Sequence, residues 1–304
     1  MRNNLTVSSS PHIHSDFSTA GIMLDVIIAL IPTAVYGTII FGWKAAIIIA
    51  VCVITAVLSE FLWNKALKKQ NSLTDFSAVV TGLLLALNLP SSLPIWMAVI
   101  GSAIAIIIVK QMFGGLGHNF ANPALTARIV LTVSFPAAMT RFLEPFSDAV
   151  SSATPLADSA AFSFRELLFG MHGGSIGETS AMMLLLGAIY LVLRRVISPI
   201  IPVSFIGTVF IFSLLIGVDP VKAVFSGGIL LGACFMATDY VTSPTFKWGK
   251  LIFGIGCGVI TVVIRNFAAL PEGVSYAILV MNLLVPHINT FTKPKPFGWE
   301  AEKK

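Results

Sequence analysis

The chain has 304 residues, of which 56% are hydrophobic and only 11% charged, and its mean hydropathy is +0.90. A soluble domain carries about a quarter charged residues and needs them to cover its outside, so a water-soluble fold is excluded, as is a disordered chain. The net charge of +5 comes from small basic groups lying between apolar runs, a pattern of membrane orientation and not of nucleic-acid binding.

The first twenty residues are polar, with His12, His14 and Asp16, and lack the basic start and early apolar core of a cleavable signal peptide. A membrane helix takes about 20 apolar residues. The predicted spans are Gly21–Phe41, Trp43–Trp63, Phe76–Leu89, Leu93–Phe113, Asn122–Met139, Thr179–Ile197, Ile200–Gly217, Val221–Thr238, Trp248–Phe267 and Val274–Phe291. The third is short: its 14 residues rise about 21 Å, against a hydrocarbon core of about 30 Å. With ten spans and the N-terminus inside, thirteen Lys and Arg fall on the inner side, in loops or at span ends, and five on the outer side, leaving Arg128 well within a span. That asymmetry places both termini in the cytoplasm; without the third span, the later loops would reverse.

The two halves resemble each other. Phe76-Ser77 opens the third span and Phe225-Ser226 falls early in the eighth, with Gly82 and Gly232 following at nearly the same offset. Both spans are short or glycine-interrupted and end in a polar, proline-containing stretch. The expected fold is therefore all-α and polytopic: ten transmembrane helices as two inverted five-helix repeats, with short or broken helices at 76–89 and 221–238. Paired broken helices in an inverted repeat point to a ligand site near the midplane, although glycine also serves plain helix packing. The domains expected are a tail at 1–20, a first repeat at 21–139, an extracytoplasmic segment at 140–178, a second repeat at 179–291 and a tail at 292–304. The 140–178 segment carries two arginines against five carboxylates and is too long for a simple connector.

The chemistry-bearing residues are few. Cys52, Cys234 and Cys257 lie singly in apolar runs, and the histidines are scattered, so no metal site or disulfide framework is expected. Arg128 inside a span is either functional or snorkels to the inner interface. Asn119 and Asn122 flank the start of that span beside a glycine-rich loop, and they suit either a ligand edge or helix capping, with Asn122-Pro123 a good cap pair. Asp25, Glu60 and Asp239 are candidate cation ligands or simply water-facing carboxylates. In the outer segment, Asp148-Ala-Val-Ser151-Ser152-Ala153-Thr154-Pro155 reads from composition alone as a turn, with Pro155 keeping Thr154 out of the α region.

Asp148, Ser151, Ala153 and Thr154 resemble the flavinylation motif of the Rnf and Na⁺-pumping NADH:quinone oxidoreductase families. Ser10-Pro11-His12, Gly114-Gly115, the run Asn119-Phe-Ala-Asn122-Pro123-Ala-Leu-Thr-Ala-Arg128 and Met236-Ala-Thr238-Asp239-Tyr240 extend the resemblance, over nearly the whole chain, to the RnfD family of membrane subunits. Ser152 stands where the quinone-reducing relatives commonly have glycine. The resemblance implies FMN joined to Thr154 through a phosphoester by a flavin transferase, and a second, non-covalent riboflavin between helices. Asp148, Ser151 and Ala153 complete the attachment motif; Asn119, Asn122 and Arg128 are the candidates for the inner flavin. It further implies an inner-membrane component without catalysis of its own. Such a component relays electrons beside the A, B, C, E and G subunits of an Rnf complex that transports Na⁺ or H⁺. The alternatives are a component of a Na⁺-translocating NADH:quinone oxidoreductase, or a non-redox channel, transporter or scaffold of the same fold.

Overall fold

The structure is a computed structural model and describes residues 18–69, 72–147, 149–151, 162–268 and 272–294. Its helices are α1 (Thr19–Phe41), α2 (Trp43–Ala66), α3 (Ser77–Leu87), α4 (Ile95–Gln111), α5 (Pro123–Ser134), α6 (Pro136–Met139), α7 (Phe164–Phe169), α8 (Ala181–Leu193), α9 (Ile200–Ile216), α10 (Pro220–Phe225), α11 (Ile229–Met236), α12 (Lys247–Phe267) and α13 (Gly273–Thr292). The second half of α4, Ile104–Gln111, and most of α11, Gly232–Met236, are wound as π-helix, a form that clusters at functional sites. A single two-stranded hairpin, β1 (Phe142–Leu143) with β2 (Val150–Ser151), is the sheet among the described residues.

Helices α1, α2, α12 and α13 are each long and apolar enough to cross a membrane; α3, α4, α5, α8 and α9 are shorter apolar helices. Every predicted span contains helix, but two are interrupted. The span predicted at Asn122–Met139 ends at Ser134, because Phe135 precedes Pro136 and adopts φ −134° and ψ 57° before the short α6. The eighth breaks between Phe225 and Ile229, where Gly227 takes φ +63°.

Local chemistry sets the boundaries. Ser18 caps α1 by accepting from the Gly21 N–H at 3.1 Å, and Gly42 at φ +71° turns the chain into α2. Asp75 accepts from the Ser77 N–H at 2.8 Å to start α3. Ser163 and Glu166 form a reciprocal capping box on α7. The helices close through small residues. Gly254 and Gly258 on α12 face Ser204 and Thr208 on α9; a Cβ at Gly258 would lie 2.6 Å from Thr208 Cβ. Gly82 lets α3 lie on α2, where a Cβ would meet the Cys52 carbonyl oxygen at 2.9 Å.

The stretch from His172 to Ser180 is irregular yet buried. Irregular backbone is tolerated inside a membrane protein only where other protein satisfies it. Here the Gly177 N–H donates to the Leu87 carbonyl at 2.7 Å and the Ile176 N–H to the Leu89 carbonyl at 3.1 Å. Ser175 pairs with Pro90 as a β-bridge. The tail of the 140–178 segment thus occupies the end of the half-length helix α3.

Candidate functional site

Two polar centres and a slot lie inside the helices. The slot opens between the start of α1 (Ile22, Met23), the face of α3 (Val80, Leu84), the loop before α5 (Asn119, Asn122), the end of α8 (Leu191) and α11 with the turn after it (Phe235 to Val241). Both π-wound segments reach it, through Lys110 and Phe235. Its lining is mostly apolar, with polar side chains from Ser77, Thr81, Lys110, Asn119, Asn122, Thr238 and Asp239.

Asn122 uses both ends of its amide to hold this region. Its Oδ1 accepts from the Ala124 and Leu125 N–H groups at 3.1 and 3.3 Å, which is the capping role. Its Nδ2 donates to the Met236 carbonyl at 3.3 Å, tying α5 to α11. With its amide turned to match its neighbours, Asn282 adds to the tie, donating to the Thr242 carbonyl at 3.0 Å and accepting from the Asn122 N–H at 3.2 Å. Asn119 is less committed: its Nδ2 makes one 3.4 Å bond to the Ala121 carbonyl, which leaves its Oδ1 and a second N–H for a ligand edge. Asp239 accepts from Thr242 Oγ1 at 3.1 Å and shapes the turn beside the slot.

One polar centre borders the slot. Lys110, near the inner end of the span predicted at Leu93–Phe113, lies in the last turn of α4 at 2% exposure. Its Nζ donates to Glu60 Oε2 at 2.8 Å and to Ser77 Oγ at 2.6 Å. Ser72 Oγ donates to Glu60 Oε1 at 2.6 Å and Asn64 donates to Ser72 at 3.1 Å. Glu60 therefore faces a lysine, not water. Asp25 is also held, by Tyr190 Oη at 2.8 Å and Arg194 at 3.3 Å.

The other centre is built on Arg128, which is buried at 3% exposure and does not snorkel. Its guanidinium donates to Asn88 Oδ1, to Glu178 Oε1 at 2.7 Å and to Ser175 Oγ at 3.4 Å, and pairs with Glu272 Oε2 at 2.7 Å. Glu178 lies over Gly228 at the start of α11, where a Cβ would be 2.7 Å from its Oε1. Arg265 closes the neighbouring break, donating to the Ala223 and Ser226 carbonyls at 3.1 Å each, as a cation at a helix C-terminus does. Arg128 Nε, Arg265 Nε and His172 Nε2 are buried without a hydrogen-bond partner among the described residues.

The structure thus brings Asn119 and Asn122 to one slot and sets Arg128 apart from its lining, in a separate cluster. Asp148, Ala153 and Thr154 lie outside the described residues. Ser151 is placed by its backbone alone, opposite Phe142 in the hairpin. Lys110, Glu178 and Glu272 were missed as site residues. Lys110 carried one signal, a lone cation directly after an apolar run; the two glutamates carried none, since their partner is distant in sequence. Apolar and polar side chains line the slot together, a mix that could hold an apolar ligand with a polar edge. Asn119 and Lys110 are the residues that would hold that edge.

The profile of the NQR2, RnfD, RnfE family matches residues 6–298. The D component of the Na(+)-translocating ferredoxin:NAD(+) oxidoreductase complex of Acetobacterium woodii is 49% identical over 99% of this chain and 98% of its own. The D component of the proton-translocating ferredoxin:NAD(+) oxidoreductase complex of Clostridium ljungdahlii is 42% identical over 98% and 97%. The D component of the ion-translocating oxidoreductase complex of Stutzerimonas stutzeri is 38% identical over 93% of each chain. Full-length similarity at this level, on a helical membrane protein with this buried polar architecture, shows that the chain belongs to the NQR2, RnfD, RnfE family.

Proposed function

We propose that this chain is the D-type membrane component of an ion-translocating ferredoxin:NAD⁺ oxidoreductase complex, carrying FMN on Thr154 and riboflavin in the slot beside Asn119. The observation that carries the reading is the end-to-end similarity to proteins so named, at up to 49% identity. It favours this branch over the quinone-reducing one and over a channel without redox chemistry. Bound flavin supplies electron transfer; the chain's residues orient the ring edge, keep the slot apolar and close it with the Asn122–Met236 tie. The transported ion is Na⁺ or H⁺, and the partners are the other subunits of the complex and the maturing flavin transferase. Both termini lie on the cytoplasmic side of the cell membrane.

The packing supports two inverted repeats at 21–139 and 179–291, separated by the 140–178 segment. In the first half α2 packs on α3 and α4; in the second α9 packs on α10 and α12. The first helices of the halves, α1 and α8, lie on each other, with Gly187 against the Ala29 carbonyl.

The decisive test is flavin attachment. The protein made together with its transferase is expected to fluoresce as a flavoprotein band in a denaturing gel. Thr154→Ala is expected to be dark yet present in the membrane at normal abundance, with Thr154→Ser retaining part of the signal. A fluorescent Thr154→Ala protein, or a dark wild type, overturns the assignment.

A further inference from the structure

A line of hydrogen bonds leads out of the slot. Lys110 and Ser77 both line it, at 2% and 4% exposure. Lys110 Nζ donates to Ser77 Oγ at 2.6 Å, and Ser77 Oγ donates to Asp75 Oδ1 at 2.5 Å. Asp75 lies in the turn before α3, half-buried between the exposed Thr74 and Phe76. We propose that Asp75, Ser77 and Lys110 form a proton relay between the loop joining α2 to α3 and a redox ligand in the slot. The relay rests on the slot being a flavin site, and the proposed orientation puts its outer end in the cytoplasm.

Three observations support it. First, the bonds are short and continuous, and they join an ammonium, a hydroxyl and a carboxylate, each able to hand on a proton. An ammonium can only donate, so Ser77 Oγ–H must point onward to Asp75. Rotating that one hydroxyl reverses the line. Second, Lys110 has three donor hydrogens, and among the described residues Glu60 and Ser77 take two. The third remains for a ligand. Third, the turn is strained to hold Asp75 in place: Phe76 adopts φ 59° and ψ 4°, an outlier for a bulky side chain that persists where its surroundings impose it. Capping of α3 needs only the bond from the Ser77 N–H to Asp75 Oδ1, at 2.8 Å. The hydroxyl bond onward to a buried lysine goes beyond capping.

An electron entering the slot from a one-electron donor puts a negative charge into a mostly apolar lining, and a proton neutralises it. An N–H bond of Lys110 breaks as its proton bonds to the ligand. Ser77 Oγ–H then passes its proton to the freed Nζ lone pair, and Asp75, protonated from water, passes its own to Ser77 Oγ. The net uptake is one electron and one proton, and oxidation runs the steps backward. Glu60 Oε2 on α2, 2.8 Å from Nζ, supplies the counter-charge that draws the replacement proton onto Lys110. Asp239 is the other carboxylate among the described residues that line the slot. The bonds stay in place throughout, so no helix has to move.

The full-length protein, made without the flavin transferase so that riboflavin is its one flavin, is purified in detergent and its riboflavin measured by acid extraction. It is mixed with reduced methyl viologen, a one-electron donor, and flavin absorbance is followed in H₂O and in D₂O. Wild type is expected to react more slowly in D₂O. Asp75→Asn keeps an acceptor for the Ser77 N–H but cannot carry the proton. At wild-type riboflavin content it is expected to react about tenfold more slowly, with the rate restored by a small diffusible acid such as formic acid. Ser77→Ala is expected to be slow as well, and Ser77→Thr, which keeps the hydroxyl, to approach wild type. Rescue by acid and the isotope effect are readouts that a purely structural role would not move. An Asp75→Asn protein as fast as wild type overturns the relay, as does a slow one that no acid restores, or a wild type without an isotope effect. Wild type that holds no riboflavin overturns the slot reading and the relay with it, and the extraction reveals that outcome separately. If one slow variant fails to fold or to hold riboflavin, the other decides.

Discussion

The Lys110–Glu60 pair and the Arg128 cluster are both buried charges in a membrane protein, and they are built on opposite plans. Lys110 and Glu60 sit on α4 and α2, within the first half of the chain, and are closed off by Ser72, Ser77 and Asn64. Arg128 reaches from α5 to Glu178 and Glu272, which precede α8 and α13 in the second half, and meets two carboxylates at once. Around it, Arg128 Nε, Arg265 Nε and His172 Nε2 stay without partners among the described residues. A saturated local pair fixes one helix on another. An under-satisfied cluster across the halves, set where α3 ends and α11 begins, is the better place for a rearrangement coupled to ion movement.

Removing the cation tests this contrast most severely at Arg128. Arg128→Met leaves the buried Glu178 and the half-buried Glu272 without their partner, so the expected loss is about 3–5 kcal/mol, read as a fall in thermal stability in detergent. Adding Glu178→Gln and Glu272→Gln is expected to restore stability while ion transport in membrane vesicles stays at least tenfold down. Recovery of transport together with stability would make the cluster merely structural.

Lys110→Met alone is expected to cost about 3 kcal/mol, because it strands Glu60. Lys110→Met with Glu60→Leu is expected to return to wild-type stability or exceed it, since an apolar pair of similar volume replaces a buried ion pair without loss. If the double variant stays unstable, the two centres are alike and the contrast fails.

Asn122→Ala sharpens the comparison at an intermediate scale. It removes the α5 cap and the bond to Met236, for an expected loss of about 0.5–2 kcal/mol. If α5 is only capped, Asn122→Asp, which keeps the cap acceptor but not the amide donor, is expected to match wild type. If the tie between halves matters, Asn122→Asp is expected to fall below it.

The smallest effect belongs to a half-buried carboxylate on α7. Bonds from the Ser163 backbone N–H and hydroxyl hold Glu166 below the ordinary glutamate range. Its support of α7 is therefore full above the usual glutamate pKa and is lost as pH falls through the lowered folded value. Faster amide exchange in residues 164–169 on acidification, absent in Ser163→Ala, is the expected signature. Equal acid sensitivity in both proteins would remove this role.

Hydropathy was enough to locate every long apolar helix, even α1 and α13 with Pro32 and Pro286 inside them, because apolar length dominates in a membrane. It overran α5, where the signal lay in Phe135-Pro136 and not in composition. It read Lys110 only as an inner-side charge at the end of a span, because hydropathy cannot register that a neighbouring helix supplies the counter-charge. Asn122 was legible as a cap, since capping is local. The partners of Arg128 were not, since Asn88 and Glu178 lie 40 and 50 residues away in sequence.

The half-length helix α3 also has a consequence for how the protein is made. The carbonyls of Leu87 and Leu89 at its end are satisfied by the N–H groups of Gly177 and Ile176, which follow 90 and 87 residues later. At about 5–20 residues per second, that interval of synthesis lasts on the order of 4–18 seconds. Throughout it, α3 has an open end at a depth where lipid offers no hydrogen bond. The nascent chain must therefore wait beside a polar shelter, in the insertion machinery or against an early partner, until the buried loop arrives and the helix can be released to the bilayer.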